Sequence, residues 1–452
     1  MLRLYDTLSE TEKEFRPIDG KTARFYTCGP TVYNFAHIGN LRTYIFEDIL
    51  RKAIKRDGFG TLQVMNITDV DDKIIREVKE KGSSIEEITR PYEKAFFEDL
   101  DKLNIERPEV TPRATEHIEE MALLIKKLLD KGVAYKADDG SIYFSISKFP
   151  EYGKLTKIDK EGLKAGARVD QDEYEKADPG DFALWKAKKE GEPSWKTSVP
   201  EIPEGRPGWH IECSAMSIKY LGETFDIHTG GVDNAFPHHE NEIAQSEAAT
   251  GKPFSKIWMH AEHLLVDGKK MSKSAGNFFT LRDLEEKGFA PLSFRYLVLG
   301  AQYRTRLNFT IESLSGAASA LDNLREKIIS GEENSERDEK AELNYLHEFD
   351  EAIENDLNTP EALAVAWKAA KDQGLSRASK KALAQSFDEV LGLNLLTEEE
   401  IIPEEIRLEA EEREKAREAR DFMKSDDIRM RLEEKGYLIE DTAKGPVIRI
   451  KK

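Results

Sequence analysis

The chain has 452 residues, with 68 Lys and Arg against 87 Asp and Glu, a formal net charge of −19. Hydrophobic residues at 39% and charged residues at 34% exclude a disordered or collagen-like chain, and the length predicts two to four domains. No apolar run approaches the ~18 residues of a membrane span, and Met1–Asp6 has no signal-peptide h-region, so a cytoplasmic protein with no membrane partner is expected.

In chain order, residues 22–28 predict a short strand broken by Gly29-Pro30. Leu41, Tyr44, Ile45, Ile49, Ala53 and Ile54 then repeat at helical spacing, with Gly58 as a C-cap, and residues 61–67 predict the next strand. This βαβ opening points to a parallel sheet in an α/β protein. Helices are predicted near 84–105 and 112–131. Residues 132–210 predict a hairpin around Asp139-Gly140 and then a Lys-, Pro- and Gly-rich stretch, together an insertion into the sheet domain. Strand and helix alternation resumes with Thr224–His228, Pro237–Thr250, Lys256–His260 and Glu262–Val266. Residues 311–395 read as all-helical around a charged loop at Gly331–Lys340. An acidic stretch at 396–412, a long helix near 404–435 and a β-like end at Tyr437–Ile450 complete the pattern.

The acidic total argues against nucleic acid, because phosphate binding calls for Lys and Arg. From Arg413 to Lys452, however, 12 Lys and Arg stand against 9 Asp and Glu, so the tail is locally basic and suits an anionic partner.

Three constellations carry chemistry. His37-Ile38-Gly39-Asn40 sits where a strand ends and a helix begins. A helix N-terminus with its free N–H groups suits phosphate, and His37 and Asn40 can donate hydrogen bonds there; an ordinary turn with a capping Asn fits as well. Lys270-Met271-Ser272-Lys273-Ser274 follows an Asp267-Gly268 turn. Its two lysines can neutralise a triphosphate, or the loop is simply solvated. Cys28 and Cys213 are either two buried thiols or metal ligands. His238 and Glu242, four apart at a predicted helix start, share one helical face, and the four together would satisfy Zn²⁺.

Together, His37–Asn40 resembles the HIGH signature and Lys270–Ser274 matches the KMSKS signature of class I aminoacyl-tRNA synthetases, with Asn40 in place of the final His. The stretches Thr27–Asn34, Asn66–Lys73, Gly208–Met216 and Asp226–Glu242 resemble cysteinyl-tRNA synthetases, over nearly the whole chain. The resemblance implies a Rossmann-type catalytic domain at 1–131 and 211–310, split by a connective-peptide-like insertion at 132–210. It further implies a helical tRNA-binding bundle at 311–395 and a small α+β anticodon module at 396–452. It implies ATP with Mg²⁺ at His37, Gly39, Asn40, Lys270, Ser272 and Lys273, with His37, Asn40, Lys270 and Lys273 catalytic. One Zn²⁺ would be held by Cys28, Cys213, His238 and Glu242. Thr68, Trp209, His228 and Asp233 would line the amino-acid pocket, and Arg417, Phe422 and Asp426 would meet the anticodon. The implied substrates are L-cysteine, ATP and tRNA(Cys), and the implied oligomeric state is a monomer. The weighed alternatives are a cysteine ligase acting on an amino sugar and a catalytically inactive RNA-binding paralogue.

Overall fold

The computed structural model describes residues 1–158, 180–271, 276–332, 336–396, 404–419, 421–442 and 445–450. Two compact units divide the chain, Met1–Leu393 and Asn394–Lys452.

The first unit is built on a four-stranded sheet in the spatial order Ser255–Ala261, Phe225–Gly231, Thr22–Thr27, Gly60–Met65, every neighbour parallel. The inner strand Thr22–Thr27 buries Ala23, Phe25 and Tyr26, as a parallel sheet covered on both faces requires. Helix Ile38–Arg56 makes the first crossover, and fourteen of its nineteen residues are buried. The parallel strands therefore end together, and their connections gather beside the N-terminus of that helix.

The helix predicted near 112–131 begins later than expected, at Ile118. Val110 and Arg113 instead form parallel bridges to Val64 and Ile67, so this stretch extends the sheet edge before the helix starts. The segment 134–207 holds a four-stranded antiparallel sheet, with strands Ala134–Lys136, Ile142–Phe144, Phe182–Ala187 and Gly205–Pro207. After Phe309 the described residues of this unit are helical, with helices Ile311–Ile329, Glu339–Glu354, Thr359–Lys371 and Arg377–Leu391. Phe349 and Phe387 stack at 4.4 Å between two of them. No helix among the described residues is long and apolar enough to cross a membrane.

In the second unit the single long helix expected near 404–435 is two helices, Glu404–Glu418 and Phe422–Glu434. The Asp421 side chain accepts from the Lys424 N–H and starts the second helix. Folding back buries Ile406 and Ala410 against Ile428, Leu432 and Ile439, a core that one straight helix cannot make for itself. The β-like end is a hairpin, Tyr437–Thr442 with Gly445–Ile450.

Candidate active site

The ends of the parallel strands open into a cavity of about 350 Å³, lined from Cys28 to Asn40, by Asn66, Thr68, Trp209 and Cys213, and by segments around Asp233, His263 and Lys270. All three constellations reach it. Gly29 lets the chain enter, because a Cβ there would lie 1.6 Å from the Asn66 carbonyl oxygen.

His37 is the N-cap of helix Ile38–Arg56. Its Nδ1 accepts from the Asn40 N–H at 3.2 Å, and Asn40 Oδ1 accepts from the His37 N–H at 3.3 Å. Burial lowers the imidazole to about 4, so it is neutral near pH 7. With Nδ1 accepting, the neutral ring carries its proton on Nε2 and offers one donor. The capping reading of Asn40 thus holds in this structure, with its amide nitrogen left for other partners. The space above Gly39 is taken by the Met271 side chain and the His37 ring, either of which a Cβ would meet under 3.0 Å. Lys270 Nζ pairs with Asp233 Oδ1 at 2.9 Å, and Asp233 Oδ2 lies 3.2 Å from His263 Nδ1. Asp233 therefore sits with Lys270 in this structure. Ser272 and Lys273 lie outside the described residues.

Donor atoms of Cys28, Cys213, His238 and Glu242 all lie within 4.8 Å of one another, and all four residues are buried. A second combination, Cys28, His228, His239 and Glu242, meets the same distance. Cys28, Cys213 and His238 line the cavity, whereas His228 and His239 do not. Burial pushes the Cys28 thiol up. It pushes Cys213 up as well, but the Cys28 thiol and His238 outweigh it and hold Cys213 at about 6. Burial also opposes charge on Glu242, yet His228 and His238 hold its carboxyl at about 2. His238, penalised by burial, is raised to about 10 by Glu242 and Cys213. A buried cluster thus gathers a carboxylate and an acidic thiol and answers them with a proton on His238. Softer sulfur with nitrogen and oxygen is a donor chemistry that fits Zn²⁺.

His228, expected on the pocket wall, lies one layer behind it. It is fully buried, Nε2 is 2.9 Å from Glu242 Oε2, and its ring stacks on Trp258 at 4.6 Å. The pleat of strand Phe225–Gly231 turns this side chain under the cluster, where it orients the carboxylate. Trp209 does reach the cavity and stacks on His238 at 4.3 Å. Thr68 also reaches it; its hydroxyl donates to Glu212 Oε2 at 2.9 Å and accepts from Asn66 Nδ2 at 3.0 Å.

Sequence reasoning missed three histidines. His210 Nδ1 lies 2.9 Å from His238 Nδ1. His239 Nε2 lies 3.3 Å from Cys28 Sγ, and its Nδ1 lies 2.8 Å from His260 Nε2. The signal was present in the doublet His238-His239 and in Trp209-His210. Also unforeseen is Glu212, fully buried, its carboxyl pushed well above the usual range by burial and the neighbouring Cys213. In the second unit Phe422 is 63% exposed, and Asp426 follows it one turn later on the same helix. Arg417 lies on the preceding helix, 3.5 Å from Glu414, so the three expected anticodon residues do not share one helix.

Comparison with known proteins decides the family. A family model described as tRNA synthetases class I (C) catalytic domain matches residues 14–319. The chain is 48% identical to the cysteine–tRNA ligase of Protochlamydia amoebophila, covering 98% of this chain and 97% of that protein. It is 49% identical to the cysteine–tRNA ligase of Solibacter usitatus, covering 98% of each.

The chain belongs to the cysteine–tRNA ligase family of class I aminoacyl-tRNA synthetases.

Among solved structures, Mycobacterium tuberculosis methionyl-tRNA synthetase in complex with methionyl-adenylate aligns with a TM-score of 0.58 at 15% identity, covering 82% of this chain and 90% of that one. At that identity the likeness concerns the fold, and it agrees with the Rossmann-type sheet followed by helices. Family membership makes the protein an ATP-dependent ligase, and of its two signatures His37, Gly39, Asn40, Lys270 and Met271 line the cavity.

Proposed function

We propose that this protein joins L-cysteine to tRNA(Cys) in two steps. A carboxylate oxygen of cysteine attacks the α-phosphorus of Mg·ATP, and the bond to pyrophosphate breaks. A hydroxyl of the tRNA's terminal ribose then attacks the activated carbonyl, and AMP leaves. The observation that carries this reading is a juxtaposition: the cavity holding His37 and Lys270 is the one into which Cys28, Cys213 and His238 open.

The neutral His37 donates from Nε2 to ATP oxygens at the helix N-terminus, where the helix dipole also favours negative charge. Asn40 holds His37 in place as its capping partner. Lys270 and Lys273 take up charge as pyrophosphate departs. Asp233 is the partner Lys270 exchanges when the phosphates arrive, and it can then meet the substrate's α-amino group. Thr68 retains an acceptor lone pair for that group.

Cys28, Cys213, His238 and Glu242 would hold one Zn²⁺. The ion would supply a borderline-soft Lewis acid for the substrate thiolate, which serine cannot match with its hydroxyl. A pocket relying on shape separates such similar side chains poorly, so ligand chemistry takes over the discrimination. Trp209 closes the wall above His238. His228 aims the Glu242 carboxylate. Folded into domains, this reading keeps catalysis at 1–131 and 211–310, the insertion at 132–210, tRNA binding by the helices of 311–395 and anticodon contact by 396–452.

Metal analysis with cysteine-dependent pyrophosphate exchange and tRNA charging tests the proposal. The wild-type protein should carry one zinc per chain, and Cys213→Ser should lower zinc content and raise KM for cysteine. Full zinc and unchanged kinetics in that variant refute the metal assignment. Exchange without tRNA charging favours the amino-sugar ligase, and no exchange favours the inactive paralogue.

A further inference from the structure

Arg42 lies five residues after His37 on the same helix and is 2% exposed. Its guanidinium is spent on main-chain oxygens. Nη1 donates to the carbonyls of Glu262 and His263, each at 2.7 Å, and Nη2 to those of Thr305 and, at 3.5 Å, Tyr303. These four carbonyls mark one crossing point. Glu262 and His263 immediately precede strand Leu264–Val266, and residues 303–305 precede strand Leu307–Phe309, its parallel neighbour. The Glu262 N–H also donates to Tyr303 O at 2.8 Å, so the two segments are tied to each other as well as to Arg42.

Strand Leu264–Val266 has a short onward path. It turns at Asp267-Gly268, with φ of +50° and +73°, and returns as Lys269–Lys270, pairing Leu265 with Lys270. Lys270 is thus joined through a tight hairpin to the carbonyls that Arg42 holds. Beyond the loop, the start of the same helix is tied again: the Ile38 N–H donates to Phe279 O at 2.9 Å, and the His37 and Phe278 rings meet edge-on at 5.3 Å. The helix that begins at His37 therefore holds the chain both before and after the lysine segment.

We propose that Arg42 is a positioning residue for adenylate formation, its guanidinium setting the hairpin that carries Lys270 at a fixed placement from His37. The inference rests on the reading of His37 and Lys270 as ATP-site residues. Its chemistry follows from the fork of the side chain. A planar guanidinium reaches all four carbonyls of the two segments with a fixed fork; an ammonium, with three donors on one atom, cannot serve all four and leaves part of the crossing point unheld. A displacement of a fraction of an ångström between groups that act together on one phosphate chain is costly in rate, because catalysis here rests on orientation. Burial lowers Arg42 to about 10, so the group stays cationic at neutral pH. The four carbonyl dipoles replace its hydration.

The test is a double-mutant cycle in cysteine-dependent pyrophosphate exchange, using Arg42→Lys, Lys270→Ala and the double variant, with kcat counted per active site by an adenylate burst. Arg42→Lys should lower kcat by about tenfold while KM for cysteine stays within about twofold. In the Lys270→Ala background the same substitution should cost less than about threefold, because the group it positions is gone. Losses that multiply overturn the inference and leave the reading of Lys270 standing. An unchanged rate for Lys270→Ala alone overturns that reading and the inference with it. Arg42→Gln, which keeps a planar amide, is the second variant should the lysine form fail to fold. A merely structural arginine would lower Tm and yield but leave kcat per titrated site unchanged, and that result also overturns the proposal.

Discussion

His37 performs two tasks that substitution can separate. As N-cap it accepts the Asn40 N–H through Nδ1, and as a cavity residue it offers Nε2–H. His37→Ala removes both. Loss of a capping side chain costs about 1 kcal/mol of stability. Loss of a preorganised donor to developing phosphate charge costs about 3–4 kcal/mol in the transition state, or roughly 10²–10³ in kcat. His37→Asn separates the two: asparagine is a strong N-cap, so Tm should match wild type, while exchange falls as far as in His37→Ala. The pH dependence gives an independent check. The imidazole is lowered from 6.5 to about 4 in the folded chain, so between those values the unfolded state binds the extra proton. Stability from this group is complete above about pH 6.5 and is lost as pH falls toward 4, by up to about 3 kcal/mol. His37→Asn should therefore lose less stability than wild type on the acid side, measured by denaturant titration at pH 7 and pH 4.5. A His37→Asn enzyme with wild-type exchange refutes the donor role. Equal Tm losses in both variants refute the capping argument.

Removing His228 leaves Glu242 Oε2 without its 2.9 Å partner. His228→Ala should weaken zinc binding by about 10- to 100-fold in chelator competition, and unchanged affinity would show that the carboxylate is oriented by other groups. Phe422, 63% exposed, contributes little to its own module, so Phe422→Ala should leave Tm and pyrophosphate exchange unaltered while raising KM for tRNA about tenfold. A lowered Tm with unchanged charging would assign the ring to folding.

Much of the catalytic unit was legible because its signals are local. Apolar spacing from Leu41 to Ile54 marks a helix, the strand before it ends at Gly29-Pro30, and the helix start falls at His37, as observed. The four-residue spacing of His238 and Glu242 survives even though the regular helix begins only at Glu240, because the residues from His238 to Glu240 already have helical backbone angles. What failed depends on tertiary context. The stretch before Ile118 becomes an edge of the sheet because Val64 and Ile67 offer it a partner, and no local pattern records that. The tail helix breaks at Asp421 because folding back buries Ile428 and Leu432, a gain that exists only once both halves are present.

The histidine doublet shows how the limit of sequence reading is also a physical statement about the site. Adjacent residues on a helix point about 100° apart, so only one of His238 and His239 can face the cavity. His238 does, stacked beneath Trp209. His239 turns inward, its ring nitrogens meeting Cys28 and His260, and burial with the surrounding imidazoles holds it well below its usual range, hence neutral. A neutral ring can donate to the Cys28 sulfur only through Nε2–H, which leaves Nδ1 to accept from His260. His260 then donates through Nε2 and accepts at Nδ1 from the Thr7 hydroxyl, 2.9 Å away. Two proton arrangements satisfy the whole row: this one, which ends on the sulfur as a donor, and its reverse, in which the Cys28 thiol donates to Nε2 and the rings pass protons on toward the Thr7 oxygen. The reverse suits the thiol that burial favours while the site is without a metal, and the first suits the thiolate that metal ligation requires, so the row can serve either state by shifting its protons together.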